Sequence, residues 1–106
     1  MFCAMNRITV QEDYVEKFEY MFKTRAGEVD KEPGFVDVKI LRPKQPGKPY
    51  IVLSFWETEA NFQQWVDSGA YMKGHSRAFG DMKQAADEKR QMPMRSDMET
   101  FEVFAE

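Results

Sequence analysis

The stretch Phe55–Phe79, FWETEANFQQWVDSGAYMKGHSRAF, decides the fold because it predicts the end of a strand, a short helix, a break and a longer helix. Thr58 is a suitable N-cap residue for the short helix. The run 67–69, Asp-Ser-Gly, interrupts that helix and can cap the next one. The same stretch holds the one histidine of the chain, His75, and both of its tryptophans. The rest of the fold is therefore predicted around this helical region.

Each of the two predicted helices carries an apolar face. In the short helix, Phe62, Trp65 and Val66 have the i, i+3, i+4 spacing of a buried face. The face of the longer helix consists, by the same spacing, of Tyr71, Met72, His75, Ala78, Phe79 and Met82. His75 is thus predicted to turn inward, where its ring nitrogens need partners. Ordinary core groups or a ligand can supply these partners, and spacing alone favours a structural histidine. Spacing alone likewise favours a core role for Trp65.

Four segments have the alternation and composition of strands, and they are Phe2–Val10, Phe35–Leu41, Tyr50–Trp56 and Met98–Ala105. Thr9 and Glu12 can form a capping box for a first helix, and Gly27 is a candidate C′ residue at its end. The order β-α-β-β-α-α-β, with the two later helices counted as one crossover, predicts a ferredoxin-like α+β fold. We expect one domain over residues 1–106, with a four-stranded antiparallel sheet and its helices on one face.

The connections are marked by turn residues and polar runs. Pro33-Gly34 predicts a turn before the second strand, and Arg42–Pro49 predicts a strand connection. The acidic run 28–32 is interpreted as solvated surface, and Gln91–Asp97 as a polar crossover loop.

The first strand contains a polar residue on its apolar face. Alternation places Phe2, Ala4, Asn6, Ile8 and Val10 on one side of the strand. An amide that faces a core costs free energy unless it is hydrogen-bonded. A structural amide that bridges backbone groups is the simpler interpretation of Asn6.

The third strand is apolar on both sides, and this predicts an interface. Its two faces consist of Ile51, Leu53 and Phe55 on one side and of Tyr50, Val52 and Trp56 on the other. One of these sets must point away from helices that cover only one face of the sheet. Because an exposed apolar sheet face usually marks an interface, we expect a homodimer with two sheets packed face to face.

Composition narrows the classes of function. The chain has 106 residues, 42% hydrophobic content and a net charge of −3 without a basic run, so nucleic acid is not expected as a partner. Cys3 is the single cysteine, no signal peptide precedes the first strand, and no apolar run approaches the about 20 residues of a membrane span. We expect a cytoplasmic protein without a membrane partner.

Common catalytic and metal motifs are missing from the sequence. One histidine and one cysteine cannot build a zinc site alone, and neither a GxGxxG nor a GxSxG run occurs. If the protein performs redox chemistry, the reactive centre must come with the ligand or substrate.

Four runs carry a resemblance to a known family. They are AMNRITV at 4–10, PGF at 33–35, SFWETEANFQQWVDS at 54–68 and AYMKGHS at 70–76. With these runs the chain resembles the antibiotic biosynthesis monooxygenase (ABM) superfamily, and within it the haem-degrading monooxygenases of the IsdG type. That family carries an asparagine on the first strand, a tryptophan in the short helix and a histidine ten residues later. Asn6, Trp65 and His75 match these positions in type and spacing.

The resemblance implies a role for each of these residues. His75 would be the proximal ligand of the haem iron, Asn6 would donate a hydrogen bond to dioxygen on the distal side, and Trp65 would press on the porphyrin and ruffle it. Haem would be both cofactor and substrate, held once per subunit of a homodimer, with O2 and electrons from an external donor, either a reductase or a small reductant. Arg77, Lys73 and Arg25 are candidates for pairing with the haem propionates.

Two other functions remain open. One is a cofactor-free monooxygenase of the same superfamily that acts on a phenolic or quinone substrate, with His75 as an acid-base group. The other is a dimer that binds haem without degrading it.

Overall fold

The computed structural model describes residues 1–25 and 27–106, and these form the predicted ferredoxin-like α+β fold. The strands are β1 (Phe2–Val10), β2 (Phe35–Leu41), β3 (Tyr50–Trp56) and β4 (Met94–Glu102). The α-helices are α1 (Val15–Lys23), α2 (Glu59–Val66) and α3 (Gly69–Asp87), with 3-10 turns at Glu12–Tyr14 and Glu28–Lys31. No helix in the described ranges combines the length and the apolar content needed to cross a bilayer.

The strands form one antiparallel sheet in the order β2-β3-β1-β4. Central β1 lies between β3 and β4, and the register pairs Asn6 with Val52 on β3 and with Met98 on β4. Residues paired in this way share a face of the sheet. Asn6, Val52 and Met98 therefore lie in one row, on the side that faces the helices.

The helices and the sheet enclose two apolar clusters. The first cluster, between α1, α3 and the sheet, contains Ile8, Tyr14, Phe18, Met21, Tyr50 and Met94. The second cluster, between α2 and the sheet, contains Phe2, Ala4, Trp56 and Phe62, with Trp65 packed against it. Both clusters lie on the same side of the sheet, which confirms the prediction that the helices cover one face.

The predicted N-caps of α2 and α3 are confirmed. The Thr58 hydroxyl accepts a 3.1 Å hydrogen bond from the Asn61 N–H, and the Ser68 hydroxyl accepts one of 3.3 Å from the Tyr71 N–H. These caps satisfy N–H groups that have no partner within the first helical turn. The predicted turn at Gly34 is also present, with a φ of 77° that favours glycine.

Both predicted bounds of the last strand, Met98–Ala105, are wrong. Residues 94–97 were expected in a loop, yet β4 already begins at Met94, which pairs with Val10, and it ends at Glu102. The reason is that β4 is an edge strand, exposed at every residue after Met94. An exposed strand needs no apolar alternation, so its polar half carries no strand pattern.

Two predictions about the first helix are also wrong. Thr9 stays in β1 and caps nothing, because a 3-10 turn separates the strand from α1 and the Tyr14 N–H donates to the Gln11 carbonyl at 2.9 Å. Gly27 has a φ of 72°, but it precedes the turn Glu28–Lys31 instead of closing α1, which ends at Lys23. The Gln11 carbonyl thus takes the place of the expected side-chain cap, and the end of α1 is closed by the Thr24 N–H, which donates to the Tyr20 carbonyl at 3.0 Å.

The face of the sheet away from the helices carries the predicted apolar set. Ile51, Leu53 and Phe55 alternate with the helix-facing residues of β3 and remain partly exposed. Met5 on β1 pairs with Leu53 and extends this surface. Val36 falls at a register shift between β2 and β3 and is 45% exposed.

Candidate active site

His75 lies on α3 with one ring nitrogen engaged. Its Nδ1 is 2.8 Å from the carbonyl oxygen of Tyr71, one helical turn earlier. A carbonyl can only accept a hydrogen bond, so the imidazole donates from Nδ1 and the neutral ring carries its lone pair on Nε2. Nε2 has no hydrogen-bond partner within the part of the chain that the structure describes. This is the tautomer that can bind a metal through Nε2.

Aromatic rings surround this imidazole. The Tyr71 ring lies 4.2 Å from it between centroids at an interplanar angle of 27°. Phe79 and Trp65 lie at 5.6 Å and 6.0 Å. His75 is therefore partly buried in an aromatic environment, as its helical spacing predicted.

The predicted apolar face of α3 is narrower than expected. Ala78 and Met82 pack against the first cluster, but Met72 is 57% exposed and Phe79 is 37% exposed. The most buried residue of the helix is Ala85, which continues the Ala78–Met82 row. The helix faces the core along that row, and Met72 lies on its flank.

Trp65 contacts both the core and His75. Its ring stacks on Trp56 at 5.5 Å with an interplanar angle of 29°, which confirms its predicted place in the core. Its indole Nε1 is buried without a hydrogen-bond partner among the described residues. A buried donor left unpaired costs about 1–3 kcal/mol, and a ligand that accepts a hydrogen bond would recover it.

Among the described residues, Asn6 is the other one with a buried polar side-chain atom that has no partner. It lies on β1 between Ala4 of the second cluster and Ile8 of the first. Its Oδ1 is buried and has no partner within residues 1–25 and 27–106. The Oδ1 atom therefore does not bridge backbone groups, which the structural interpretation of Asn6 requires. Because the carboxamide can rotate by 180°, the same position can present either an acceptor or an N–H donor.

The structure brings Trp65 and His75 into contact, and it places Asn6 on the helix-facing side of β1. Next to Asn6 the sheet is open, since Met98 shares its helix-facing row and is 46% exposed. The described residues thus include an unpaired amide oxygen, an unpaired indole N–H and an imidazole nitrogen without a partner, the last two on neighbouring side chains. A neutral imidazole nitrogen among aromatic rings can ligate haem iron, so the surroundings of His75 fit such a group.

Arg77 lies on a different side of α3 from His75, because two positions along a helix are about 200° apart. Its guanidinium donates to the Met21 carbonyl at 2.9 Å and to the Thr24 hydroxyl at 3.0 Å, both at the end of α1. Lys73 pairs with Glu28 and Arg25 with Asp30, each at 3.3 Å. All three candidate propionate partners thus already bind protein groups, and their role toward a ligand stays a prediction.

A partly buried network that sequence reasoning missed joins α3 to α1 and to the 3-10 turn before it. The Tyr14 hydroxyl donates to Asp81 at 2.6 Å, and Lys17 binds the same carboxylate at 3.0 Å. Burial raises the pKa of Asp81, but the hydrogen bonds from Tyr14 and Lys17 outweigh it and bring the pKa below its usual value. Burial and then the bond to Asp81 raise the pKa of Tyr14. No short-range signal could have revealed a pair separated by 67 positions.

Two surface hollows lie away from these residues. One, of about 350 Å³, is lined by the start of β1, the segment 57–59 and the end of β4. The other, of about 450 Å³, follows α1 from Glu12 to Lys23. Neither includes Asn6, Trp65 or His75.

A scan against protein families matches residues 1–77 with the model described as antibiotic biosynthesis monooxygenase. The chain belongs to this family. The matched residues run from β1 into α3 and include Asn6, Trp65 and His75. The family resemblance noted in the sequence is thereby confirmed.

The proteins to which this chain is similar differ in their use of a cofactor. The ABM chain is 35% identical over 77 residues to the heme oxygenase (staphylobilin-producing) of Staphylococcus haemolyticus, covering 71% of this chain and 73% of the relative. It is similar in fold to the heme-degrader MhuD from Mycobacterium tuberculosis, solved with two hemes in its active site. The TM-score is 0.72 at 24% identity, covering 100% and 98% of the chains. SnoaB, a cofactor-independent oxygenase from Streptomyces nogalater, gives a TM-score of 0.70 at 20% identity, covering 99% and 94%. The fold alone therefore does not select between the two chemistries.

Proposed function

We propose that this protein is a haem-degrading monooxygenase that binds haem as cofactor and substrate, opens the porphyrin ring with O2 and electrons, and releases iron. The observation that carries the proposal is the His75 imidazole, whose Nδ1 donates to Tyr71 and whose Nε2 lone pair is free, next to Trp65. The 35% identity to a heme oxygenase supports it. Bound haem would supply the iron that activates dioxygen and the ring that is opened.

His75 would bind the iron through Nε2. The hydrogen bond from Nδ1 to the Tyr71 carbonyl holds the correct tautomer and increases the electron density on Nε2. Tyr71, Trp65 and Phe79 would exclude water from the proximal side, since their rings surround the imidazole. A dry, apolar environment also strengthens each polar contact within it.

Asn6 would act on dioxygen, and Trp65 would act on the porphyrin ring. The Asn6 amide would present an N–H donor from the sheet and orient dioxygen on the distal side. Trp65 is held against Trp56 and would press on the porphyrin rather than yield to it. Arg77 would need to give up its contacts with Met21 and Thr24 to reach a propionate.

The assembly is proposed to be a homodimer with one haem per subunit. The apolar surface of Ile51, Leu53, Phe55 and Met5 on the uncovered face of the sheet supports a second copy as its partner. An external electron donor, either a reductase or a small reductant, completes the reaction. A cytoplasmic location remains part of this proposal.

A cofactor-free monooxygenase that acts on a phenolic or quinone substrate is the second candidate. The Nε2 lone pair favours it, because a neutral imidazole with a free nitrogen can also act as a general base. In this alternative no porphyrin is bound, so Trp65 would have only its role in the core. A haem-binding dimer without turnover is the third candidate, and only a measurement of turnover separates it from the first.

Visible spectroscopy after addition of haemin tests the proposal. We expect a shift of the Soret band at one haem per chain, followed by bleaching of the band when a reductant and oxygen are supplied, with iron released to a chelator. Ligation without bleaching would favour the non-catalytic dimer. No Soret shift, together with iron-independent oxygen uptake on a phenolic substrate, would favour the cofactor-free enzyme.

A further inference from the structure

Tyr71 makes two independent contacts with His75. Its carbonyl oxygen accepts from Nδ1 at 2.8 Å, and its ring lies 4.2 Å from the imidazole at 27°. Trp65 and Phe79 are more distant, at 6.0 Å and 5.6 Å. Tyr71 is thus the aromatic neighbour in closest contact with the imidazole among the described residues.

Tyr71 is itself held in place from two directions. Its N–H is capped by the Ser68 hydroxyl at 3.3 Å, which fixes the first turn of α3. Its ring meets the edge of Trp65 at 5.0 Å and 78°. Trp65 in turn stacks on Trp56, which is fully buried and donates to the Ser54 hydroxyl at 3.1 Å. A continuous chain of contacts therefore joins the sheet to the imidazole.

From this arrangement we infer that Tyr71 is the positioning residue of His75, with two separable effects. The backbone carbonyl selects the Nδ1–H tautomer, which any residue at position 71 would do in a helix. The aromatic ring fixes the plane of the imidazole, which only an aromatic side chain can do. The part of this inference that concerns iron rests on the proposed function, whereas the placement of the imidazole does not.

The ring contact is needed because the hydrogen bond alone leaves the imidazole free to rotate. A single bond at Nδ1 tolerates rotation of the imidazole about that contact, since hydrogen bonds keep most of their strength over tens of degrees. A stacked ring restricts this rotation, because aromatic pairs prefer defined offsets. For a metal ligand, the direction of the Nε2 lone pair depends on the plane that results.

Nuclear magnetic resonance of the haem-free protein tests the placement directly, since His75 is the one histidine in the sequence and its ring signals need no assignment by mutation. In the parent we expect a protonated Nδ1, an unprotonated Nε2, and ring protons shifted upfield by the Tyr71 ring. Tyr71→Leu should keep the tautomer and move the ring protons downfield, leaving only the smaller shifts caused by Trp65 and Phe79. Tyr71→Phe keeps the ring and should keep both the tautomer and the parental shifts.

The matched control is Tyr20→Leu, which removes an exposed tyrosine from α1. It should leave the His75 signals unchanged. If Tyr71→Leu does not fold, Tyr71→Met fills similar space without a ring and serves in its place. Unchanged ring-proton shifts in the leucine or methionine variant, or equal changes in the Tyr20 control, would overturn the inference.

The second arm adds haemin and measures both the affinity and the orientation of the imidazole plane by electron paramagnetic resonance. We expect Tyr71→Leu to bind haem about tenfold more weakly with an altered g-anisotropy, because partners that orient a metal ligand contribute on that scale. Tyr71→Phe should match the parent. Parental affinity and parental g-values in Tyr71→Leu would refute Tyr71 as the residue that positions an iron ligand.

The two proposals fail in different ways. If the parent itself does not ligate haem, the proposed function fails, and the spectra of the haem-free protein still decide whether Tyr71 places the imidazole. If the parent ligates haem and Tyr71→Leu is indistinguishable from it in both arms, the proposed function stands and the positioning role fails.

Discussion

The hydroxyl of Tyr14 donates a 2.6 Å hydrogen bond to Oδ2 of Asp81 and so joins α1 to the helix that carries His75. Lys17 completes the contact from the same side of α1. The helix that carries His75 is therefore held by a partly buried polar network at Asp81 and by aromatic rings around His75.

This network predicts a pH dependence of stability. The folded-state pKa of Asp81 lies below its usual value, so the carboxylate stabilises the fold fully above pH 3.8, and this contribution is lost as the pH falls through the folded pKa. Asp81→Asn should lower the free energy of unfolding at pH 7 by about 1–3 kcal/mol and flatten its decline in acid. Urea unfolding at several pH values measures both effects. Asp13→Asn, at an exposed position on the adjacent turn, is the control, and an equal effect there would contradict the role of the network.

His75→Ala should fold normally and fail to ligate haem. The imidazole makes one hydrogen bond, to a carbonyl of its own helix, so its loss removes little structure. The Soret band of the added haemin should resemble that of a protein without a nitrogen ligand, and free imidazole should restore part of the shift. A parental Soret band in the variant would rule out His75 as the ligand. A lower melting temperature with haem binding retained would make it a structural histidine.

Asn6→Leu should separate stability from turnover. Oδ1 of Asn6 is buried and unpaired, so an apolar side chain of similar size should leave the unfolding free energy unchanged or raise it by up to about 1 kcal/mol. Haem should still bind, because His75 remains, while degradation slows at least tenfold. Thr100→Leu, on the same face of the neighbouring strand, is the control. Parental turnover in Asn6→Leu would return Asn6 to a purely structural role.

Trp65→Phe should alter the haem more than the fold. The substitution shortens a core side chain, at a cost of about 1–3 kcal/mol, but also removes an unpaired buried N–H, which offsets part of that cost. Haem affinity should stay near parental, turnover should fall further than stability explains, and resonance Raman should report a flatter porphyrin.

Phe18→Leu is the control for this prediction, since Phe18 is almost fully buried but belongs to the first cluster, whereas Trp65 packs against the second. It should also cost stability and leave the haem geometry nearly unchanged. The same porphyrin shape in both variants and the parent would assign Trp65 to the core alone.

Leu53→Lys should convert a dimer into monomers. Leu53 lies on the face of the sheet away from the helices, and a buried lysine across an interface would be unpaired. Light scattering at micromolar concentration measures the mass of parent and variant. Tyr20→Lys, exposed on α1, should remain dimeric. A monomeric parent would count against the face-to-face assembly.

The sequence alone determined the elements whose signals are local. The bounds of β2 and β3, the caps at Thr58 and Ser68, and the apolar face of α2 were all predicted, and the structure confirms them. Periodicity and capping depend on residues a few positions apart, so they are visible in a single chain. The family motifs then predicted Asn6, Trp65 and His75 as site residues.

Only the tertiary structure decided which distant groups meet. The early start of β4 results from pairing with β1 at an exposed edge. Arg77 binds the Met21 carbonyl near the end of α1, a contact that no residue close to it in the sequence indicates. The tautomer of His75 and the unpaired atoms of Asn6 and Trp65 also follow from packing. Long charged side chains and edge strands can take several partners at similar free energy, so the three-dimensional neighbourhood makes the choice.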